Sequence, residues 1–188
     1  MRIFSLVVIS LSLLSNPIAL ANALSTSAMI SLPAYSTVYD DQRDPFKDAT
    51  AALTLAKETN RQVLIEIGGN WCAWCHKMDK FLINNPDVYN ALHSQYVLLK
   101  INVSDRNENN DFMKSLPPVL GYPHMYVSNA QGKMLLSKDT AELLVANNYS
   151  TTQWLTFLDD WSINNTLAQA SLANRVQEIE SEHEHEHE

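Results

Sequence analysis

From residue 46 to residue 60 the apolar positions Phe46, Ala49, Leu53 and Ala56 recur at helical spacing, and Asp44-Pro45 just ahead supplies an N-cap and a first-turn proline. The first helix is therefore predicted to start there. Residues 62–67 form a β-branched apolar run of strand length, and Gly68-Gly69 turns the chain out of it. The next six residues, Trp71-Cys72-Ala73-Trp74-Cys75-His76, open a second helix whose inward face is Met78, Phe81 and Leu82. Asn85-Pro86 starts a short third helix through Val88, Leu92 and His93, and residues 96–103 read as a second strand. A polar loop over 104–110 and one helical turn over 111–116 end at Pro117-Pro118. Gly121-Tyr122-Pro123 then leads into Met125-Tyr126-Val127, a turn over 129–132 and the apolar stretch Met134-Leu135-Leu136, which together predict a β-hairpin. Ser150 can cap a last helix with Trp154, Leu155, Phe157, Leu158 and Trp161 on its buried face. Strand, helix, strand, hairpin, helix is an α/β order. Residues 24–41, rich in Ser, Thr and Tyr around Pro33, predict only an extended arm or one irregular edge strand.

The first residues change where the mature chain begins. Met1-Arg2 and the apolar residues 3–14 are followed by Asn16-Pro17 and by A-x-A patterns at Ala19-Leu20-Ala21 and Ala21-Asn22-Ala23. This is the form of a secretory signal peptide, too short to span a bilayer, with cleavage expected after Ala21 or Ala23. No later apolar run approaches the roughly 20 residues of a membrane helix, so no membrane insertion is expected after cleavage. The organisation read from the sequence is a signal peptide over 1–23, an N-terminal arm over 24–43, one domain over 44–165, and over 166–188 a helical extension ending in a disordered His/Glu tail. The formal charge is −8, but Glu178, Glu180, Glu182, Glu184, Glu186 and Glu188 crowd the end of the chain. The rest is nearly balanced, with Lys and Arg scattered, which gives nucleic acid no basic face.

The chain has two cysteines, and both lie in the motif at the end of the first strand. A bridge between Cys72 and Cys75 closes so small a loop that chain entropy gives it only roughly 2 kcal/mol, so it is poorly explained as a staple. An exported protein stabilised by disulfides would carry several spaced cysteines. At a helix start the first cysteine meets unpaired backbone N–H groups and the positive helix end, which lower a thiol pKa from near 8.5 to between about 3.5 and 7.5. Cys72 is thus the candidate nucleophile for a mixed disulfide, and Cys75, one turn on, the resolving thiol. The reaction calls for no cofactor and no metal. Trp71 and Trp74 flank the cysteines as candidates for an apolar apron that receives a substrate. His76 stands four residues after Cys72, where an imidazolium could support a thiolate.

The chain resembles the thioredoxin superfamily over residues 62–161. Trp71-Cys72-Ala73-Trp74-Cys75 is similar to its active-site signature, and Gly121-Tyr122-Pro123 is similar to its cis-proline loop. Glu66, six residues before Cys72, matches the family's buried acid, and Lys100 matches the lysine that pairs with it from the neighbouring strand. The resemblance implies a thioredoxin-like fold, a central mixed sheet flanked by helices with the C-x-x-C motif at a helix start. It implies that Glu66 and Lys100 handle the proton of Cys75, and that a cis Pro123 leaves the Tyr122 backbone free to pair with an extended substrate. Elementary electrostatics supports Glu66 separately, because a carboxylate within an apolar strand is costly unless paired or neutral, and burial raises its pKa. The Gly-Gly before the signature and the Trp within it are similar to exported bacterial thiol:disulfide interchange domains. A periplasmic oxidoreductase follows as the expectation, acting on cysteines of exported proteins and served by an upstream thiol:disulfide donor or acceptor. The Ala73-Trp74 dipeptide departs from the Gly-Pro of cytosolic thioredoxin and leaves the direction of electron flow open.

Two other chemistries share these letters. C-x-x-C-H is also the attachment signature of c-type haem, with Met113, Met125 or Met134 available as an axial sulfur. Cys72, Cys75, His76 and the tail His183-Glu184-His185-Glu186-His187-Glu188 allow a metal-binding or metallochaperone reading, although an affinity tag would read the same way. The strand, the Gly-Pro loop, the hairpin, Glu66 and Lys100 are not required by either.

Overall fold

The strand Gln62–Gly68 (β1) is buried along its whole length. It lies between two others, parallel to Tyr96–Asn102 (β2) on one side and antiparallel to His124–Ser128 (β3) on the other. A strand covered on both faces can be apolar without interruption, which is why β1 and β2 show little alternation in sequence. The structure is a computed structural model and describes residues 31–185; the signal-peptide segment lies outside the described residues. Met134–Asp139 (β4) pairs antiparallel with β3 through the expected hairpin and completes a sheet of order β2-β1-β3-β4. Gly132, at φ 82°, takes the left-handed conformation that this turn requires.

Helices cover both faces. Pro45–Glu58 (α1), capped by the Asp44 carboxylate on the amides of Phe46 and Lys47, lies over the face that carries Val63, Ile65, Ile67, Val97, Leu99 and Ile101. Ala73–Asn84 (α2), Pro86–Gln95 (α3) and Thr151–Asp160 (α5) cover the other face, where Leu64 and Leu98 meet Met78, Leu92, Trp154 and Leu158. A short turn, Asn110–Met113 (α4), lies between β2 and β3. This is the mixed, helix-flanked sheet that the resemblance implied. Parity along β1 puts Leu64, Glu66 and Gly68 on the α2 side.

Three features depart from the sequence reading. Among its described residues, from 31 onward, the arm forms no edge strand. Ala34–Ser36 makes a single 3-10 turn, Ser36 Oγ donates to the Leu98 carbonyl at 2.5 Å, and Tyr35 and Tyr39 are buried against the body. Between β4 and α5 the chain adds a turn at Thr140–Leu143 and a two-residue hairpin, Leu144–Val145 (β5) with Asn148–Tyr149 (β6), too short to leave a period. The last helix, Ile163–His185 (α6), runs into the segment that the sequence assigned to a disordered tail. Its Leu, Ala, Gln, Arg and Glu residues are good helix formers, and over residues 163–177 none of its side chains is fully buried. Among the described residues no helix is long and apolar enough to cross a membrane.

Candidate active site

Cys72 is the N-cap of α2, in extended backbone conformation, and its sulfur accepts the Cys75 amide at 3.1 Å. A sulfur at a helix N-cap receives the N–H groups that have no partner within the helix, which favours its anionic form. Cys75 lies one turn into the helix, fully buried, and the two sulfurs are joined as a disulfide. The Gly-Gly turn allows this placement. A Cβ on Gly68 would stand 2.6 Å from both Cys75 Sγ and the Tyr39 hydroxyl, and one on Gly69 would stand 2.5 Å from the Trp71 indole nitrogen. A side chain at either position would have to displace the motif.

Beneath the motif, Glu66 and Lys100 occupy paired positions of β1 and β2, both buried, with Lys100 Nζ 3.7 Å from Glu66 Oε1. The lysine has a nearer partner. Its ammonium donates to Asp79 of α2, a partly exposed carboxylate. Glu66 in turn accepts a hydrogen bond from the Tyr39 hydroxyl, and Lys100 Nζ lies 4.8 Å over the Tyr39 ring. Burial pushes the Glu66 carboxyl above its ordinary range. The Lys100 charge pulls it back, Asp79 raises it, and the Tyr39 hydrogen bond lowers it. Burial and the adjacent Glu66 hold the Tyr39 phenol well above its usual value, so it is a neutral donor.

The predicted recognition residues separate into two groups. Trp71 donates its indole N–H to the Val103 carbonyl at 2.6 Å and packs edge-on to Tyr122, with ring centroids 5.1 Å apart. The Tyr122–Pro123 peptide bond is cis, and the Pro123 carbonyl accepts from Thr140 Oγ1 at 2.6 Å. Trp71, Tyr122 and the arm residue Val38 line an open groove beside the motif. Trp74 has other partners: its ring stands perpendicular to that of Tyr149, with centroids 6.2 Å apart, and Lys77 Nζ lies 4.2 Å over it. Both tryptophans are substantially exposed, at 56% and 40%. His76 Nε2 is 2.9 Å from the Asn70 carbonyl oxygen, so its ring is tethered to the turn before the motif. Of the methionines considered as axial ligands, Met125 is in the α2-side core, and Met113 and Met134 pack on the α1-side core.

Sequence reasoning missed Tyr39 and Asp79. Asp79 carried a signal, since it stands four residues after Cys75 on one face of α2. Tyr39 carried none, because it enters from an aperiodic arm.

A family model described as thioredoxin-like matches residues 44–130. The thiol:disulfide interchange protein DsbD of Klebsiella pneumoniae is 26% identical over 107 residues, covering 57% of this chain and 17% of that protein. The protein of the same name from Vibrio vulnificus is 33% identical over 81 residues, covering 43% of this chain and 13% of that protein. The chain thus spans less than a fifth of the length of these curated relatives. Among solved structures, a disulphide isomerase from Xylella fastidiosa Temecula1 superposes with a TM-score of 0.56 at 25% identity, covering 70% of this chain and 97% of that one.

Proposed function

We propose that this chain, a member of the thioredoxin superfamily through its residues 44–130, is an exported thiol:disulfide oxidoreductase that reacts with other exported proteins through a mixed disulfide on Cys72. The observation that carries the reading is the placement of Cys72 as the N-cap of α2, its sulfur accepting the Cys75 amide, with Cys75 as its buried disulfide partner. In the reduced protein the Cys72 thiolate attacks a substrate disulfide. A bond forms between Cys72 Sγ and one substrate sulfur, and the other leaves as a thiolate. Cys75 then loses its proton and attacks Cys72 Sγ. The substrate leaves as its second thiolate, and the Cys72–Cys75 disulfide seen here remains. An upstream dithiol reduces it again. Glu66, buried beneath α2 with a raised pKa, is suited to take and return the proton of Cys75, and Lys100 limits how far the pKa rises.

Trp71, Tyr122 and Trp74 form the receiving surface, with the Tyr122 backbone beside Pro123 as the site for an extended substrate segment. Periplasmic localisation is supported by the signal-peptide pattern of residues 1–23. The Glu66–Lys100 pair favours a reductase or electron carrier. A measured potential close to about −270 mV agrees with that direction, and one near about −120 mV reverses it.

The test is a Cys75→Ser variant expressed with its export signal. Resolution is blocked, so exported proteins should accumulate on Cys72 as adducts released by dithiothreitol and missing in Cys72→Ser. If Cys75→Ser captures no more than Cys72→Ser, the oxidoreductase reading fails.

A further inference from the structure

Tyr39 belongs to the arm, outside the strands and helices that hold the motif, yet it is 3% exposed and packs directly with Cys72 and Cys75. Its hydroxyl bonds Glu66 on one side. On the other it shares with Cys75 Sγ the space that a Gly68 side chain would fill. Each atom lies 2.6 Å from the same Cβ position, so at most twice that distance separates them. The phenol thus bonds the Glu66 carboxylate and, at the same time, borders the space beside the Cys75 sulfur.

We propose that the Tyr39 hydroxyl relays the proton of Cys75 to Glu66 during resolution of the mixed disulfide. The inference rests on the oxidoreductase reading above. As the Cys75 thiol attacks Cys72 Sγ, its proton passes to the Tyr39 oxygen while the proton of Tyr39 passes to Glu66 Oε1. The Cys75–Cys72 bond forms, the bond from Cys72 to the substrate sulfur breaks, and its electron pair leaves on the substrate thiolate. Glu66 ends as a neutral acid and Tyr39 as a neutral phenol. In the reverse direction Glu66 returns the proton by the same route. A phenol with its pKa held well above the usual value is a poor proton store, so it must pass one proton on as it accepts another.

The groups facing Tyr39 fit this role. Glu66 on β1 accepts its hydrogen bond, Lys100 on β2 lies over its ring, Asp79 stands beside Lys100 on α2, the cysteines are at the start of that helix, and Tyr149 on β6 adds a second phenol. Lys100 and Asp79 are paired with each other and leave Glu66 as the acceptor bonded to Tyr39.

The test is single-turnover oxidation of the reduced full chain by 5,5′-dithiobis(2-nitrobenzoate). The first nitrothiobenzoate released reports attack by Cys72, and the second reports resolution by Cys75. With Tyr39→Phe, which keeps the ring, the second phase should slow at least about 10-fold near neutral pH, and the deficit should vanish at alkaline pH, where Cys75 ionises unaided. Tyr39→Phe added to Glu66→Gln should slow it no further than Glu66→Gln alone. Equal second phases, or a deficit constant across pH, overturn the relay. A proton inventory on the unaltered protein needs no variant: two protons in flight give a curved dependence of the second phase on deuterium fraction, and a straight line overturns the proposal. If the unaltered protein gives no second phase, or Cys75→Ser still gives one, it is the oxidoreductase reading that fails.

Discussion

Gly68 and Cys75 meet where β1 passes beneath the start of α2, at a separation that leaves no space for a methyl group: a Cβ on Gly68 would lie 2.6 Å from Cys75 Sγ. The absence of a side chain there is what lets a buried sulfur, a phenol and a strand share one point.

Gly68→Ala should therefore destabilise the oxidised protein. Overpacking a filled interior costs about 1–3 kcal/mol, and here neither the disulfide nor the Tyr39 ring can step aside cheaply. Urea unfolding monitored by tryptophan fluorescence measures the change. A loss below about 0.5 kcal/mol would mean that the contact is slack.

Glu66 should make stability fall as pH rises. Its carboxyl is pushed above 4.5 in the folded protein, burial being the largest cause. Between the unfolded and folded values the native state holds the proton that the unfolded state has lost, so the slope of unfolding free energy with pH is negative, by up to about 1.4 kcal/mol per unit. The contribution is complete below the unfolded value and is lost as pH rises through the folded one. In Glu66→Gln that slope should be missing, and the variant should gain on the parent as pH increases from 4 upwards. Unfolding curves of both proteins across the acid and neutral range measure it, and parallel pH profiles would contradict it.

His93 should act with the opposite sign. Burial, reinforced by the Arg61 charge, lowers its pKa to about 4. The folded state then binds fewer protons than the unfolded state between that value and 6.5, so the stability it contributes is complete above 6.5 and is lost as pH falls to about 4. The ring is 4.4 Å from Tyr89, which gives its C2 proton a shifted resonance to follow by NMR. A midpoint near 6.5 would show that solvent reaches it.

Trp74→Ala should weaken reaction with protein substrates more than reaction with a small aromatic disulfide. The exposed ring is held by Tyr149 and Lys77, a rigid apolar surface whose removal from an interface costs about 1–2 kcal/mol, or roughly 5- to 30-fold in kcat/KM. Comparing the two substrate types measures it. Equal losses would assign Trp74 to the packing of α2.

Local order determined much of the fold. Asp44 and Ser150 cap the helices that they were expected to cap, Gly68-Gly69 turns the chain into α2, and the hairpin forms around its predicted turn. Each of these depends on neighbours a few residues apart, so the pattern that signals them lies within a short window of the chain. Glu66 was legible because a charge inside an apolar strand needs a partner, Lys100 only through the family resemblance, and the register of β1 with β2 sets the two opposite each other. The structure then gave Lys100 a closer partner in Asp79, and gave Glu66 a hydrogen-bond donor in Tyr39. Only the tertiary fold could decide that. Tyr39 is 27 residues from Glu66 in an arm without hydrophobic period, and its position depends on a void at Gly68 that exists only once strand, helix and arm are packed together. Periodicity reports which face of an element is buried. It does not report which distant side chain fills the space that a glycine leaves empty.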